Sequence, residues 1–109
     1  MKIEVNGKKV DVVFVDWVTD EVPYKWVGGK VKWLTYLADY LEIRFDRDTE
    51  ALMSIWKCII ENNEFTIKYN DKIAKFYITM EELEKVFERF RNTNKKYITI
   101  NFVGTGNEV

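Results

Sequence analysis

Asp46, Asp48 and Glu50 place three carboxylates at every second position, the first grouping in this sequence whose types and spacing could do chemistry. On an extended chain they would share a face and could hold a magnesium ion. They also stand where a helix begins, and there Asp48 reads as an N-cap with Glu50 at the positive end of the helix dipole. Capping is the plainer reading. No Asp or Glu is followed two residues later by Lys, so the acidic-x-Lys triplet used by one class of metal nucleases is absent. Glu42-Ile43-Arg44 comes nearest and carries arginine where lysine is required.

Nucleophiles are scarce. Ser54 is the only serine and Cys58 the only cysteine, and there is no histidine to activate either. Both fall within one expected helix, with Cys58 on its apolar side, where a thiol usually packs and stays inert. One cysteine excludes an internal disulfide and any multi-cysteine metal site within a single chain. Gly28-Gly29 and Gly104-x-Gly106 are too short to cradle a phosphate, and Gly29-Lys30 is followed by Val31 rather than Ser or Thr. No cofactor or metal site is expected.

Two groups have residue types suited to binding. Tyr24, Lys25, Trp26, Lys30, Lys32 and Trp33 combine rings with ammonium groups, the means by which single-stranded nucleic acid is held. Strand alternation nonetheless sets those rings and lysines on opposite faces, so the aromatics read first as core. Lys68, Lys72 and Lys75, with Lys95 and Lys96 farther on, form a second basic group. Lysines on strands commonly protect a sheet against edge pairing, and that reading takes precedence.

The elements that would position these residues follow from turn chemistry and periodicity. Asn6-Gly7 suits a two-residue type I′ turn, which pairs Val5 with Lys8, Glu4 with Lys9, Ile3 with Val10 and Lys2 with Asp11. Val12 to Val15 is apolar on both alternating faces and predicts a central strand covered on both sides. Gly28-Gly29 centres a second hairpin, in which Trp26 faces Val31 and Lys25 opposes Lys32. The apolar spacing of Trp33, Leu34, Leu37, Tyr40 and Leu41 fits a short helix, with a hairpin through Ala38-Asp39 as the alternative, followed by a strand over 42–45. A helix over 49–61 should be packed on most sides and end at Asn62-Asn63. Asn70-Asp71 centres a third hairpin, with Phe65 opposite Phe76 and Ile67 opposite Ala74. Thr79 to Glu82 is a capping box, and Ile78 with Leu83 forms the staple opening a helix over 80–91. Its expected inner face is Leu83, Val86, Phe87 and Phe90. A strand over 96–103 closes the order.

That order predicts an α+β fold over residues 1–103, a single small domain with a mainly antiparallel sheet of hairpins and two to three helices packed on it. Residues 104–109 are expected to form a flexible tail. The chain of 109 residues suits one domain, and 47% hydrophobic content is enough to fill a core. Seventeen basic against eighteen acidic residues leave a net charge of −1, so no global field attracts nucleic acid. Lys and Glu supply 24 residues and Gln none, the bias of hot-growing organisms, although eight asparagines run against it. The N-terminus lacks an apolar signal core and no run approaches a membrane span, so a cytoplasmic location is expected.

With catalytic parts missing and Trp and Tyr abundant, the sequence points to a non-enzymatic protein-interaction module. Small virus or plasmid proteins that block a host factor have this size and make-up. The expected partner is a protein, with a second copy of the chain as a variant of that reading. The alternative is weak single-stranded nucleic-acid binding through the lysine and aromatic hairpins. A metal-dependent enzyme built on Asp46 and Asp48 stands third.

Overall fold

The computed structural model describes residues 1–22, 25–32, 36–47, 49–92, 94–105 and 107–108, with only the backbone for 21–22, 25–27, 30–32, 36–37 and 107–108. The chain forms β1 (Lys2–Val5), β2 (Lys8–Asp11), β3 (Phe14–Val22), β4 (Lys25–Val27), β5 (Lys30–Lys32) and β6 (Tyr36–Asp46). It continues as α1 (Glu50–Glu61), β7 (Phe65–Tyr69), β8 (Lys72–Tyr77), α2 (Met80–Arg91), β9 (Tyr97–Gly104) and β10 (Asn107–Glu108). This is an α+β fold with two helices, and all pairings in its sheets are antiparallel.

The hairpins follow their turn residues. Asn6 (φ 51°) and Gly7 (φ 83°) supply the positive angles of the first turn, and β1 pairs β2 in the register expected from the sequence. Phe65 meets Phe76 and Ile67 meets Ala74 in the β7–β8 hairpin, and Lys25 meets Lys32 in β4–β5.

The large sheet runs β3-β6-β9-β8-β7-β1-β2, with β10 pairing the first residues of β6 on the same edge as β9. Its two ends, β2 and β3, are consecutive in the chain. The Val12 N–H bonds the Met1 carbonyl beside β1, and the next N–H, from Val13, bonds the Arg44 carbonyl in β6. A sheet whose ends are joined across two residues must roll up, so the strands form a barrel-like wall. Phe14 also pairs with Arg44, and two residues facing one make a bulge that bends the strand there. The expected doubly covered strand at 12–15 is therefore corrected. Val12 is buried and Val15 half-buried, but Val13 and Phe14 are exposed.

The expected short helix at 33–41 is also corrected where the structure describes it, because 36–46 form one continuous strand. Leu41, Ile43 and Phe45 are buried, while Tyr40 is exposed and Glu42 and Arg44 are partly so, a period of two. Nine paired positions on β3 and seven on β9 override a helical spacing that local sequence also allowed.

The buried faces of the wall and the helices form one core, including Ile3, Phe45, Leu52, Ile55, Phe65, Ile67, Val86, Ile98 and Phe102. α1 buries a narrower stripe than expected: Ala51, Leu52 and Ile55 are inside, whereas Met53 and Ile60 are 72% and 81% exposed. Its N-cap is Thr49, whose hydroxyl donates to the Asp46 carbonyl, and Asp48 lies outside the described residues. Asn63, at φ 53°, takes the left-handed angle at the helix end. Thr79 caps α2 by accepting from the Glu82 N–H. Phe87 is 46% exposed and stacks on Trp56 rather than entering the core. Asn107–Glu108, within the expected tail, pair with 36–37 of β6. Among the described residues no helix is long and apolar enough to cross a membrane.

Candidate interaction surface

Register carries four side chains onto one line. Val18 of β3 is opposite Tyr40 of β6, Tyr40 is opposite Val103 of β9, and Val103 is opposite Tyr77 of β8. Partners across a sheet share a face, and the neighbours Leu41, Phe102 and Phe76 are buried, so this row points outward. Val18, Tyr40 and Tyr77 are 44%, 46% and 39% exposed, and Val103 is partly exposed. An apolar row crossing four adjacent strands is a contiguous surface rather than scattered exposed residues. One pleat away, Asp16, Glu42 and Asn101 form a parallel row, acidic at its β3 end.

The inner side of the same strands is fixed by Asp39. This buried carboxylate accepts from the Trp17 indole N–H at 3.0 Å and the Thr19 hydroxyl at 2.6 Å, both through Oδ1. Trp17 sets its edge against Phe76 with ring centroids 5.1 Å apart. Gly104 makes room: a Cβ there would lie 2.9 Å from both the Asp39 Cβ and its carbonyl oxygen. These contacts tie β3 to β6 on the inner side.

A second surface is basic. Arg44, Lys85, Arg89, Lys95, Lys96 and Tyr97 line a groove of about 630 Å³ between α2 and β9, with Glu88 the one acid among its described lining residues. Arg47 shapes its rim by donating to the carbonyls of Phe90, Asn92 and Lys95, where the negative end of α2 would otherwise lack donors. Lys85 is paired with Glu81 and Arg89 with Glu82. The Lys96 ammonium lies 5.3 Å from the centre of the Tyr97 ring.

The basic residues singled out in the sequence are distributed differently. Lys68 and Lys75 are on the outer face of the β7–β8 hairpin, with Lys68 opposite Glu4 and Lys75 opposite Thr66. Lys72 pairs with Tyr69 on the other face, its ammonium 5.9 Å from the Trp17 ring centre. Lys95 and Lys96 belong to the separate basic groove. Lys25, Trp26, Lys30 and Lys32 lie on the backbone of β4–β5, while Tyr24 and Trp33 lie outside the described residues.

The reactive side chains remain apart. Cys58 is half-buried, accepts from the Asn6 amide at 3.2 Å and donates to the Glu64 carbonyl at 3.0 Å. Burial pushes its thiol pKa up, the Asn6 bond works against this, and the Glu61 and Glu64 carboxylates raise it further. The expectation that no Ser-x-x-Lys arrangement surrounds Ser54 is corrected, because Ser54 and Lys57, in Ser54-Ile55-Trp56-Lys57, have that spacing, in which lysine can serve as base. No described hydrogen bond joins them, and Lys57 is exposed. Among the described residues no three acidic or thiol groups gather at metal-binding distance.

Val18, Tyr40, Tyr77 and Val103 escape a reading of the sequence because the row joins strands far apart in the chain. Alternation within 15–18 and 38–43 could have marked Val18 and Tyr40 as outward, but not as neighbours. No family model matches the chain, and no curated protein or solved structure is found to be similar to it.

Proposed function

We propose that this protein is a non-enzymatic protein-interaction module that binds its partner through the outer face of β3, β6, β9 and β8. The observation carrying this reading is the in-register row Val18–Tyr40–Val103–Tyr77. Apolar and aromatic side chains held on a rigid sheet lose little entropy on binding, and tyrosine is among the residues that carry most interface energy. The adjacent Asp16–Glu42 pair supplies a polar margin that selects against acidic partners. Capture from the native host with the tagged chain tests the reading. A protein recovered with the wild type and lost with Tyr40→Ala plus Tyr77→Ala is the expected result. Equal recovery by both chains contradicts it.

The basic groove supports a second reading, binding of single-stranded nucleic acid. Lys95, Lys96 and Arg44 would meet phosphates while Tyr97 offers a ring for stacking. Oligo-dT binding that weakens steeply with salt, and is lost with Lys95→Glu plus Lys96→Glu, is its expected signature.

A further inference from the structure

β3 has one described strand partner, β6, along all nine of its residues. The direction of its backbone groups follows from a single bond. The Arg47 N–H donates to the Lys96 carbonyl, in line with the β6–β9 register, so the odd-numbered residues of β6 face β9 and the even-numbered ones face β3. Arg44, Glu42 and Tyr40 therefore bond Phe14, Asp16 and Val18. The amides and carbonyls of Val15, Trp17 and Thr19 point the other way, off the edge, and no described backbone hydrogen bond uses them. Residues 14–22 contain no Lys, Pro or Gly. The edge is guarded by the acidic residues Asp16, Asp20 and Glu21 and by the bulge at its Val13–Phe14 end, so a partner bearing bases opposite those acids is the kind it admits.

From this edge we infer that β3 is a strand-addition site, filled by an extended segment of a partner protein that alternates apolar and basic residues on one face. The inference rests on the protein-interaction reading and specifies how the partner sits. An added strand would place its outward residues in line with the existing rows. A residue opposite Val18 would lengthen the row Val18–Tyr40–Val103–Tyr77 and should be apolar. Residues opposite Asp16 and Asp20 would face carboxylates and should be Lys or Arg. The residue opposite Phe14, which is 38% exposed, should again be apolar. A second copy pairing β3 on β3 does not meet this pattern, because residues 14–20 contain no base and no such register sets one opposite Asp16 or Asp20. The Lys72 ammonium lies 5.9 Å from the Trp17 ring centre on the inner side and takes no part in the outward rows. Main-chain bonds would give such a partner affinity, and the alternate side chains its specificity.

The test uses the full chain and a blocked seven-residue peptide with sequence Lys-Thr-Val-Thr-Lys-Thr-Val, which runs antiparallel to residues 14–20. The amides of Val15, Trp17 and Thr19 are expected to exchange with deuterium at least about tenfold more slowly when it is bound. Glutamates in place of its lysines should abolish this. Val15→Pro removes an outward N–H without touching a β3–β6 bond, and should also abolish it in a chain whose far-ultraviolet spectrum is unchanged. If Val15→Pro disturbs the fold, the glutamate peptide carries the test alone. Absence of protection at millimolar peptide, protection confined to the 85–97 groove, or edge protection that grows with protein concentration in the absence of peptide would each overturn the inference. The first leaves the interaction reading to be judged by the Tyr40→Ala plus Tyr77→Ala capture, which does not depend on the edge.

Discussion

Glu82 and Arg89, seven residues apart on α2, together stand in for a missing strand. β8 pairs with β9 only at Val103 and Gly104, which leaves the β9 backbone at Thr99 and Asn101 facing a gap. The Glu82 carboxylate accepts from the Asn101 N–H at 2.7 Å, and the Arg89 guanidinium donates to the Thr99 carbonyl at 2.7 Å. The two side chains bond each other at 3.0 Å. Two turns of helix thus satisfy one acceptor and one donor that a neighbouring strand would otherwise meet.

Glu82→Ala should therefore destabilise the fold by about 1–2 kcal/mol, since it leaves the part-buried Asn101 amide unsatisfied and removes the partner of Arg89. Urea unfolding would measure it. Glu81→Ala, one position earlier and exposed, should cost no more than about 0.5 kcal/mol.

Glu82 also shows what local sequence conveys and what it omits. Thr79 to Glu82 marks the helix start correctly, and the Thr79 side chain caps it. The capping box further assigns the Glu82 carboxylate to the Thr79 N–H, but that carboxylate turns to β9 instead, because a gap in a distant strand pair outcompetes a solvent-facing cap. The same division holds elsewhere. Hairpin turns and their registers are legible because Asn6-Gly7 and Gly28-Gly29 fix them within a few residues. The β6 strand is not, because its partners lie far away in sequence and its apolar residues also fit a helical period. The candidate surface combines four strands and appears only once they are in register.

Gly104→Ala should lower stability by about 1–3 kcal/mol. The new methyl would meet Asp39 backbone and Cβ at 2.9 Å, neither of which is the far end of a flexible chain. A fall in Tm read by circular dichroism checks this. Gly7→Ala meets no atom within 4 Å, so its cost comes from the positive φ alone.

Cys58 should stay protonated at neutral pH and react with iodoacetamide more slowly than a thiol in an unstructured peptide. Its pKa is higher in the folded chain, so the stability it contributes is complete below the unfolded thiol pKa and lost as pH rises through the folded one. Urea midpoints measured from pH 7 to pH 10 should fall less for Cys58→Ala than for the wild type.

Asp39→Ala should cost about 1–3 kcal/mol, because the Trp17 indole and the Thr19 hydroxyl lose a shared acceptor in a partly buried setting. Trp17 fluorescence should shift as its ring loosens from Phe76, and an unchanged emission spectrum would show that Asp39 does not hold it.

Titration calorimetry of the captured partner against the wild type and the Tyr40→Ala plus Tyr77→Ala chain tests the central claim most directly. Tyr40 and Tyr77 are 46% and 39% exposed and neither is part of the buried core, so the variant should stay folded, losing no more than about 2 kcal/mol, while binding at least about tenfold more weakly. Unchanged affinity in a folded variant, with binding lost instead in Lys95→Glu plus Lys96→Glu, would contradict the claim and move the binding surface to the basic groove.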